Sequence, residues 1–570
     1  MSRPVDAQSP DVVRLGATDR LVADGVDLVV VGGGITGAGA ARDAALRGLR
    51  TLIVDKGDWG NGTSSRSSKL VHGGLRYLET FQFGLVMEGT RERHRQMRLN
   101  PHLVEPLPFV MPVFADGRHG LGKINLGLWL YDLLSLFRTY KFHTKLKRDR
   151  CLATVQPLRA DKLQGGILYY DCRTDDARLT LANVLAAERS GATALAQARY
   201  DGPIIGADGR VEAVKIHDAV LGRDLVVGCS AVLHATGPWT DATGRLVGDA
   251  ARLRPTKGVH VVLDRERLPL DVAVATSSVD DGRVVFAIPF GNTTYVGTTD
   301  TDYTGDLEHV YATDEDVAYL LRTANHFFPG RDLAPRDVRS TWAGLRPLIR
   351  SDADTAYKTS REHEIFVDPR GLITIAGGKL TTYRAMAEEV VDRALKEIRK
   401  TAATRGRPAP KVARCKTHKT ALDAVSAAPP SELDATLRRS HGSLAERVRE
   451  RLAARPEEGE RVVADLPYVM AQVAIAAAYE HAWHLEDVMV RRFQISLRSA
   501  DCGLSRAPAV ARLMADVLGR DEAWVSAEVA AYAAHVERSL ACVTGGAERA
   551  APAARPELAA VSPAALAQPA

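Results

Sequence analysis

DLVVVGGGITGAGAARDAALRGLRTLIVDKG, residues 27–57, is the stretch that decides the fold of this chain. It orders an apolar strand, a glycine-rich turn, a helix of small residues and a second apolar strand, which predicts a βαβ unit. Gly32 permits a tight turn, Gly34 lets the backbone approach a pyrophosphate, and Gly37 lets the helix pack against the strand. The phosphate would meet the positive end of the helix. The stretch therefore predicts a dinucleotide-binding site.

Residues outside this motif narrow the choice of cofactor. Asp55 ends the second strand, 18 residues after the last glycine of the motif, where a carboxylate can accept hydrogen bonds from an adenosine ribose. The motif itself fits NAD and FAD equally. Two later strands end in small-residue turns, Thr236-Gly237 in HATGPWTD and Gly377-Gly378 in IAGGKLTTYR. Each could be an ordinary strand–helix turn, but together they suit a long extended ligand, which favours FAD, bound non-covalently.

The composition is that of an ordinary globular protein and argues against several classes. The length of 570 residues suffices for about three or four domains. Lys plus Arg number 75 and Asp plus Glu number 70, so the net charge of +5 does not indicate a nucleic-acid-binding protein. The six cysteines contain no C-x-x-C pair, so we expect no metal site and reduced thiols. The polar N-terminus lacks an export signal, which predicts a cytoplasmic protein.

We expect an α/β chain with five segments. Short alternating runs such as VVFAIPF and TTYVGTTD predict an antiparallel second sheet. A region rich in Ala, Leu, Arg and Glu, which follows a Pro- and Gly-containing linker, predicts helices. The expected segments are a flexible leader (1–24), an FAD-binding domain (25–250 and 366–405), a substrate-binding cap domain (251–365), a C-terminal helical domain (411–545) and a disordered tail (546–570).

The block GTSSRSSKLVHGGLRYLE has the composition of a binding segment rather than of a scaffold. The hydroxyls of Ser64 and Ser65 and the ammonium of Lys69 suit a phosphate or the edge of a flavin. Arg76 and Tyr77 form a plausible anion-binding pair. We therefore expect this block to contact both cofactor and substrate.

Two further cations follow much later in the chain. Arg346 lies in STWAGLRPLI, and Lys379 opens KLTTYR, which also contains Thr382. Together with Arg76, these side chains could bind a dianion such as a phosphate monoester. Any one of them could instead be a surface or structural cation.

Four segments together resemble a known family. VVVGGGITGAGAARDAALRGL, GTSSRSSKLVHGGLRYLE, WAGLRPLI and IAGGKLTTYRAMAEE are similar to those of FAD-dependent, aerobic-type glycerol-3-phosphate dehydrogenases. The resemblance implies a Rossmann-like FAD-binding domain, an interleaved antiparallel-sheet substrate domain of the D-amino-acid-oxidase type and a C-terminal all-helical domain. It also implies oxidation of sn-glycerol 3-phosphate to dihydroxyacetone phosphate, with hydride transfer from C2 to N5 of FAD and electrons passed to a membrane quinone.

The resemblance also assigns roles to individual residues. It places the substrate-phosphate contacts on Arg76, Tyr77, Arg346 and Lys379, with Thr382 nearby. His72 matches a histidine beside the flavin and is our first choice for the base, because imidazole titrates near working pH. His260 is the second choice, and either histidine could instead be structural. The catalytic candidates are therefore His72, Arg346 and His260.

A later segment suggests contact with a membrane. Residues 121–150, LGKINLGLWLYDLLSLFRTYKFHTKLKRDR, combine an apolar helical face with a basic region. This combination is typical of an interfacial helix on anionic lipid, and it predicts a peripheral protein on the inner face of the cell membrane. A buried core helix followed by a solvated basic strand is the alternative. The apolar face comprises Leu126, Trp129, Leu130, Leu133 and Phe137, and the basic residues are Arg138, Lys141, Lys145, Lys147, Arg148 and Arg150.

The sequence leaves several alternatives open. The electron acceptor could be O₂ instead of quinone, as in a glycerol-3-phosphate oxidase, and another flavin oxidase of the D-amino-acid-oxidase type is a further alternative. A non-catalytic flavoprotein is a third. A homodimer is our expectation for the assembly, whereas the role of the helical domain is not indicated.

Overall fold

The computed structural model of the chain describes residues 9–78, 81–117, 119–350, 362–423 and 431–544. Two large β-sheets face each other across a cavity, and a group of helices follows them in the chain. The strands are β1 (Leu28–Val31), β2 (Thr51–Val54), β3 (Leu70–Val71), β4 (Val104–Phe114), β5 (Thr144–Lys147), β6 (Leu163–Thr174), β7 (Thr193–Leu195), β8 (Ala198–Ile205), β9 (Val211–Asp218), β10 (Arg223–Gly228), β11 (Ala231–His234), β12 (Leu253–Asp264), β13 (Ala273–Ser277), β14 (Val284–Phe290), β15 (Thr293–Gly297), β16 (Thr301–Asp302), β17 (Val338–Ile349), β18 (His363–Val367) and β19 (Leu372–Gly377).

The helices lie mainly around the first sheet and in the C-terminal part. A π-helical turn, Asp487–Arg492, joins two of the last group. The helices are α1 (Pro10–Asp24), α2 (Ile35–Leu46), α3 (Phe83–Leu99), α4 (Leu121–Leu134), α5 (Arg148–Thr154), α6 (Asp176–Arg189), α7 (Thr240–Arg245), α8 (Asp314–Phe327), α9 (Tyr383–Thr404), α10 (Glu432–His441), α11 (Ala445–Ala454), α12 (Met470–Tyr479), α13 (Ile495–Arg498), α14 (Ala507–Leu518) and α15 (Glu522–Thr544).

The first sheet is the dinucleotide-binding sheet that the motif predicts. Its strand order is β18-β19-β11-β1-β2-β7, and β1 pairs in parallel with both β11 and β2. Every residue of β1, β2 and β11 is buried, as expected for central parallel strands covered by helices. The helices α6 and α9 pack against α2. The parallel strands therefore bring the glycine turn after β1 and the turn after β11 to one edge of the sheet.

The second sheet is larger than the sequence suggests. It contains the predicted antiparallel strands β12 to β17, but also β3, β4, β5 and β6. The two groups join where β4 pairs in parallel with β13, with Phe109 opposite Ala273. The assignment of the whole range 25–250 to the FAD-binding domain is therefore wrong for β3 to β6. Their hydrophobic alternation fits either sheet, and the long-range pairing decides between them.

The expectation of a flexible leader is wrong for residues 10–24, which form α1. The helix is polar in composition, yet Arg14 is buried and paired with Asp218 at 2.9 Å. Arg14 Nη2 also donates to the carbonyl of Ala196 at 2.8 Å. At the start of the same helix, Asp11 is paired with Arg520 at 3.1 Å. The helix thus links the FAD-binding domain to the C-terminal helices.

The C-terminal part is helical, as predicted. Helix α14 packs against both α12 and α15. The last helix, α15, also reaches the second sheet, where Thr341 Oγ1 donates to the carbonyl of Ser539 at 2.6 Å. The predicted disordered tail, 546–570, lies outside the described residues.

The Arg14–Asp218 pair generates a prediction about stability. Both side chains are buried, so the change Arg14→Ala would leave the Asp218 carboxylate without its guanidinium in a dry environment. We expect a loss on the order of 3–5 kcal/mol in the free energy of unfolding. A thermal melt followed by circular dichroism would show a clearly lower Tm.

Arg322→Ala is the matched control for this experiment. Arg322 pairs with Asp280 at 2.6 Å, but the pair is exposed to solvent. Its loss should cost less than about 1 kcal/mol. Equal shifts in Tm for Arg14→Ala and Arg322→Ala would contradict the role assigned to α1.

Candidate functional site

A cavity lies between the two sheets, and most of the predicted site residues line it. It begins at the glycine turn after β1 and continues past the turns after β11 and β19 to the second sheet. The predicted residues on its wall are Gly32, Gly34, Asp55, Ser64, His72, Thr236, Gly237, His260, Arg346, Gly377, Gly378 and Lys379.

The glycine turn fits a pyrophosphate. Gly32 has φ +107°, and an added Cβ there would lie 2.5 Å from the carbonyl oxygen of Ala235. Gly37 does not line the cavity, but a Cβ on it would overlap the carbonyl oxygen of Gly32. A Cβ on Gly34 would meet only Ser64 Oγ, at 3.2 Å, so this backbone is open to a ligand. The turn thus offers bare backbone at the N-terminus of α2, where an anion is favoured.

Asp55 lies where the ribose of a dinucleotide is expected. Its carboxylate accepts hydrogen bonds from the backbone N–H groups of Gly33 at 2.6 Å and Gly57 at 2.9 Å. Burial raises the pKa of Asp55, although these two donors act against the increase. The remaining lone pairs can accept from ligand hydroxyls.

Trp239 is a wall residue that the sequence reasoning missed. Its indole N–H donates to Glu308 Oε1 at 2.6 Å, and the ammonium of Lys56 lies 4.5 Å from the ring centroid. Lys56 also forms an ion pair with Glu308. Glu308 follows the second sheet's β16, so these three side chains link the two halves of the molecule beside Asp55. Trp239 directly follows the predicted turn Gly237-Pro238, which is the signal that could have indicated it.

The turn after β19 brings Lys379 to the cavity. Gly377 and Gly378 have φ +77° and +83°, and a Cβ on Gly377 would lie 2.5 Å from the carbonyl oxygen of Glu362. The ammonium of Lys379 lies 3.8 Å from the ring centroid of Tyr77, a cation–π contact. Tyr77 does not line the cavity and instead supports Lys379.

Arg346 is held in place by the second sheet. It donates from Nη1 to Asp300 Oδ1 at 2.9 Å, and from Nη2 to Thr298 Oγ1 at 3.2 Å and the carbonyl of Thr299 at 3.0 Å. Its side chain is 21% exposed. Sequence reasoning missed these partners, because they lie more than 40 residues away in the chain.

His260 is buried and strongly oriented. Its Nε2 lies 2.8 Å from Ser68 Oγ, and its ring stacks on Trp342 with centroids 4.5 Å apart. Burial, followed by the charges of Arg346 and Lys69, holds the pKa of His260 well below its usual range. The imidazole is therefore neutral at neutral pH, and within the described part of the chain its Nδ1 has no hydrogen-bond partner.

His72 lies on another part of the same wall. It is half-buried and lines the cavity. Its backbone N–H donates to Thr381 Oγ1 at 3.1 Å, which ties it to the segment that follows Lys379. Both candidate bases are thus next to the cavity.

Some predicted contacts need correction. Lys69 is 3% exposed and forms an ion pair with Asp176 at 2.7 Å, so the structure places it behind the cavity wall and not on it. Ser65 does not line the cavity, and its carbonyl accepts from Lys69. Thr382 is buried behind the wall, whereas its neighbour Thr381 lines it. The side chain of Arg76 lies outside the described residues.

The apolar face of α4 is at the surface. Leu126, Trp129, Leu133 and Phe137 are 70%, 51%, 55% and 51% exposed, and Leu130 is partly buried. The helix ends at Leu134, so Phe137 belongs to the segment that follows it. The alternative of a buried core helix is therefore wrong. The basic residues Arg138, Lys141, Lys145, Lys147, Arg148 and Arg150 are exposed as well.

The lengths and hydropathies of the helices also show whether any of them could span a bilayer. In the part of the chain that the structure describes, every helix is too short or too polar to cross a membrane.

Comparisons with known proteins agree with this fold. The family model for FAD-dependent oxidoreductases matches residues 27–393, and that for the C-terminal domain of alpha-glycerophosphate oxidase matches residues 380–525. Glycerol-3-phosphate dehydrogenase 2 of Mycobacterium bovis is 37% identical over 571 aligned positions, covering 95% of this chain and 94% of that protein. Aerobic glycerol-3-phosphate dehydrogenase of Staphylococcus haemolyticus is 41% identical, covering 65% of this chain and 67% of its own length.

A solved structure extends the similarity to the whole architecture. The crystal structure of glycerol-3-phosphate dehydrogenase from Bacillus halodurans in complex with FAD has a TM-score of 0.75 and 30% identity, covering 94% of this chain and 99% of that one. L-alpha-glycerophosphate oxidase from Mycoplasma pneumoniae shares the fold, with a TM-score of 0.50 and 17% identity. The resemblance that the sequence suggests is thus confirmed, and so is FAD as the cofactor. The chain belongs to the FAD-dependent glycerol-3-phosphate dehydrogenase family.

Proposed function

We propose that this protein oxidises sn-glycerol 3-phosphate to dihydroxyacetone phosphate and passes the electrons to a membrane quinone. The observation that carries the proposal is one cavity lined by the dinucleotide-binding turn, by three cationic residues, Arg66, Arg346 and Lys379, and by two histidines. The names of the relatives support this substrate. FAD, when bound, supplies the acceptor for a hydride from C2 of the substrate.

Arg346 and Lys379 are the proposed phosphate-binding residues. Arg346 presents a planar fork of donors that suits phosphate, and its bonds to Asp300 and Thr298 fix the orientation of that fork. Lys379 adds a second positive charge, held over the ring of Tyr77. A phosphate fixed at two points would hold C2 of the substrate in one position, which is how binding lowers the barrier to transfer.

A base must also accept the proton of the C2 hydroxyl. We propose His72 for this role, because it lines the cavity and is less enclosed than His260. His260 is neutral and paired with Ser68, so it would orient the wall of the substrate site.

The proposed phosphate site is tested with Arg346→Ala. We expect kcat/KM for sn-glycerol 3-phosphate to fall by about 100-fold, since a charged hydrogen-bonding partner contributes about 3 kcal/mol. The measurement is the anaerobic bleaching of the flavin band near 450 nm, a typical value for this cofactor class, at a series of substrate concentrations.

Glycerol, which lacks the phosphate, is the control substrate. Wild type and Arg346→Ala should reduce the flavin equally slowly with glycerol. An equal loss with both substrates would show that Arg346 serves the structure instead of the phosphate. A flavin band that sn-glycerol 3-phosphate does not bleach in the wild type would overturn the proposed substrate.

The two histidines are distinguished by pH profiles. We expect His72→Gln to lower kcat by about 100-fold or more and to remove the acid limb of kcat/KM. His260→Gln should leave that limb in place. Because the pKa of His260 is well below its usual range, a base at His260 would stay competent as the pH falls through 6.5. An acid limb found only at much lower pH, and lost in His260→Gln, would therefore assign the base to His260.

Quinone as acceptor requires contact with a membrane, and the exposed face of α4 supports such contact. Exposed Leu and Trp side chains next to six basic residues suit the interface of an anionic bilayer. This arrangement would place the protein peripherally on the inner face of the cell membrane.

The double variant Leu126→Glu/Leu133→Glu tests this contact. We expect it to lose sedimentation with vesicles that contain anionic phospholipid, because two charges would enter the apolar interface. Its turnover with a soluble acceptor should stay at the wild-type level, whereas its turnover with quinone in vesicles should fall.

Val226→Glu is the matched control, since Val226 is 51% exposed on β10, away from α4. It should bind vesicles as the wild type does. Unchanged vesicle binding in the double variant would contradict the proposed surface. Rapid peroxide formation in air, equal with and without quinone, would instead identify O₂ as the acceptor.

A further inference from the structure

The C-terminal helices contact a loop of the cofactor site, residues 55–62, which follows β2. Asp58 and Trp59 of this loop are both fully buried. The loop lies directly on the glycine turn, because the backbone N–H of Gly60 donates to the carbonyl of Gly33 at 2.9 Å. A Cβ on Gly33 would overlap the ring of Trp59. The position of the loop thus determines one side of the pyrophosphate-binding turn.

Two arginines from the π-helical turn hold this loop by its carboxylate. Arg491 donates from Nε to Asp58 Oδ2 at 2.5 Å, and Arg492 donates from its two Nη atoms to both carboxylate oxygens at 2.7 Å. All three side chains are at most 2% exposed. The partners are more than 430 residues apart in the chain. A buried carboxylate with two guanidiniums is strongly fixed, since losing one partner leaves a charge in a dry site.

The network reaches the wall of the cavity itself. Arg491 Nη1 donates to Asn61 Oδ1 at 3.3 Å, and Asn61 lines the cavity. Arg491 also pairs with Glu486 at 2.9 Å and Asp487 at 2.5 Å, so its position is set by its own helical segment. Burial raises the pKa of Asp58, but Arg492 and Arg491 outweigh it and lower that pKa, which keeps the carboxylate charged.

A second connection runs parallel to the first. Arg492 donates to the carbonyl of Glu480 at 2.7 Å, and the Glu480 carboxylate pairs with Arg178 at 2.6 Å. Arg178 lies on α6, which packs against the turn that contains Ser64 of the cavity wall. The π-helical turn therefore contacts the FAD-binding domain in two places, at Asp58 of the loop and, through Glu480, at Arg178 of α6.

We propose that Arg491 and Arg492 are positioning residues for FAD, and that the C-terminal helical domain retains the cofactor by holding the loop at Asp58 against the glycine turn. Within the described residues 411–423 and 431–544, the domain contributes no side chain to the wall of the cavity. The domain acts on the cofactor through the loop. Weakening the contact between domain and loop should therefore increase the rate at which FAD dissociates.

The test compares Asp58→Asn with Glu458→Gln in the full-length holoprotein. Glu458 forms a buried pair with Arg451, with bonds of 2.5 and 2.7 Å, inside the helical domain and away from the loop. Both changes replace a buried carboxylate by an amide of the same shape. Two quantities are measured: the rate of FAD loss after dilution, followed by flavin fluorescence, and hydrogen exchange of the backbone amides of residues 56–64.

We expect Asp58→Asn to lose FAD about tenfold faster than wild type, as the loss of a charged hydrogen bond implies. Exchange in residues 56–64 should rise in parallel. Glu458→Gln should lose FAD at the wild-type rate, even if its Tm falls by as much as the Tm of Asp58→Asn. If Asp58→Asn fails to fold, Arg492→Lys serves instead, because it keeps the charge and loses only the fork. Equal FAD loss in test and control variants, or no change in either, would overturn the proposal.

Discussion

The turn between β1 and α2 leaves no room for a side chain at Gly32 or Gly33, and the rest of the site is arranged around that constraint. A Cβ on Gly32 would lie 2.5 Å from the carbonyl oxygen of Ala235, and one on Gly33 would overlap Trp59. The ends of β1 and β11 and the loop after β2 therefore converge within van der Waals distance of one another. Because this part of the wall is backbone, its donors are already oriented before any ligand binds.

Two cations at or near the site form ion pairs with carboxylates of the protein. Arg346, on the cavity wall, is paired with Asp300, and Lys69, behind that wall, is paired with Asp176. The ion pair with Asp300 fixes the orientation of the Arg346 guanidinium, and it also offsets part of the attraction of Arg346 for an anion in the cavity. The ammonium of Lys379 lies 3.8 Å from the ring centroid of Tyr77, a cation–π contact that orients it at the cavity wall. Both proposed phosphate ligands are thus held in position by neighbouring side chains of the protein.

Local patterns were sufficient to predict the βαβ unit, the turns after β11 and β19 and the parts of the cavity wall that these turns form, because each of these depends on neighbours in the chain. Features that depend on distant partners were not predictable. Lys69 looks like a ligand until its pairing with Asp176, 107 residues later, is known. Arg14 looks solvated until it meets Asp218, 204 residues away. The membership of β3 to β6 in the second sheet is of the same kind.

The strand order of the first sheet also has a consequence for synthesis. The central strand β1 pairs with β11, which follows it by roughly 200 residues, and β19 comes later still. At about 5–20 residues per second, β1 waits on the order of ten to forty seconds at the ribosome for this neighbour. Meanwhile β4 and β6 are made before β13, so both sheets have open edges at once. The nascent chain therefore exposes unpaired strand edges that the finished protein covers, and such edges favour aggregation.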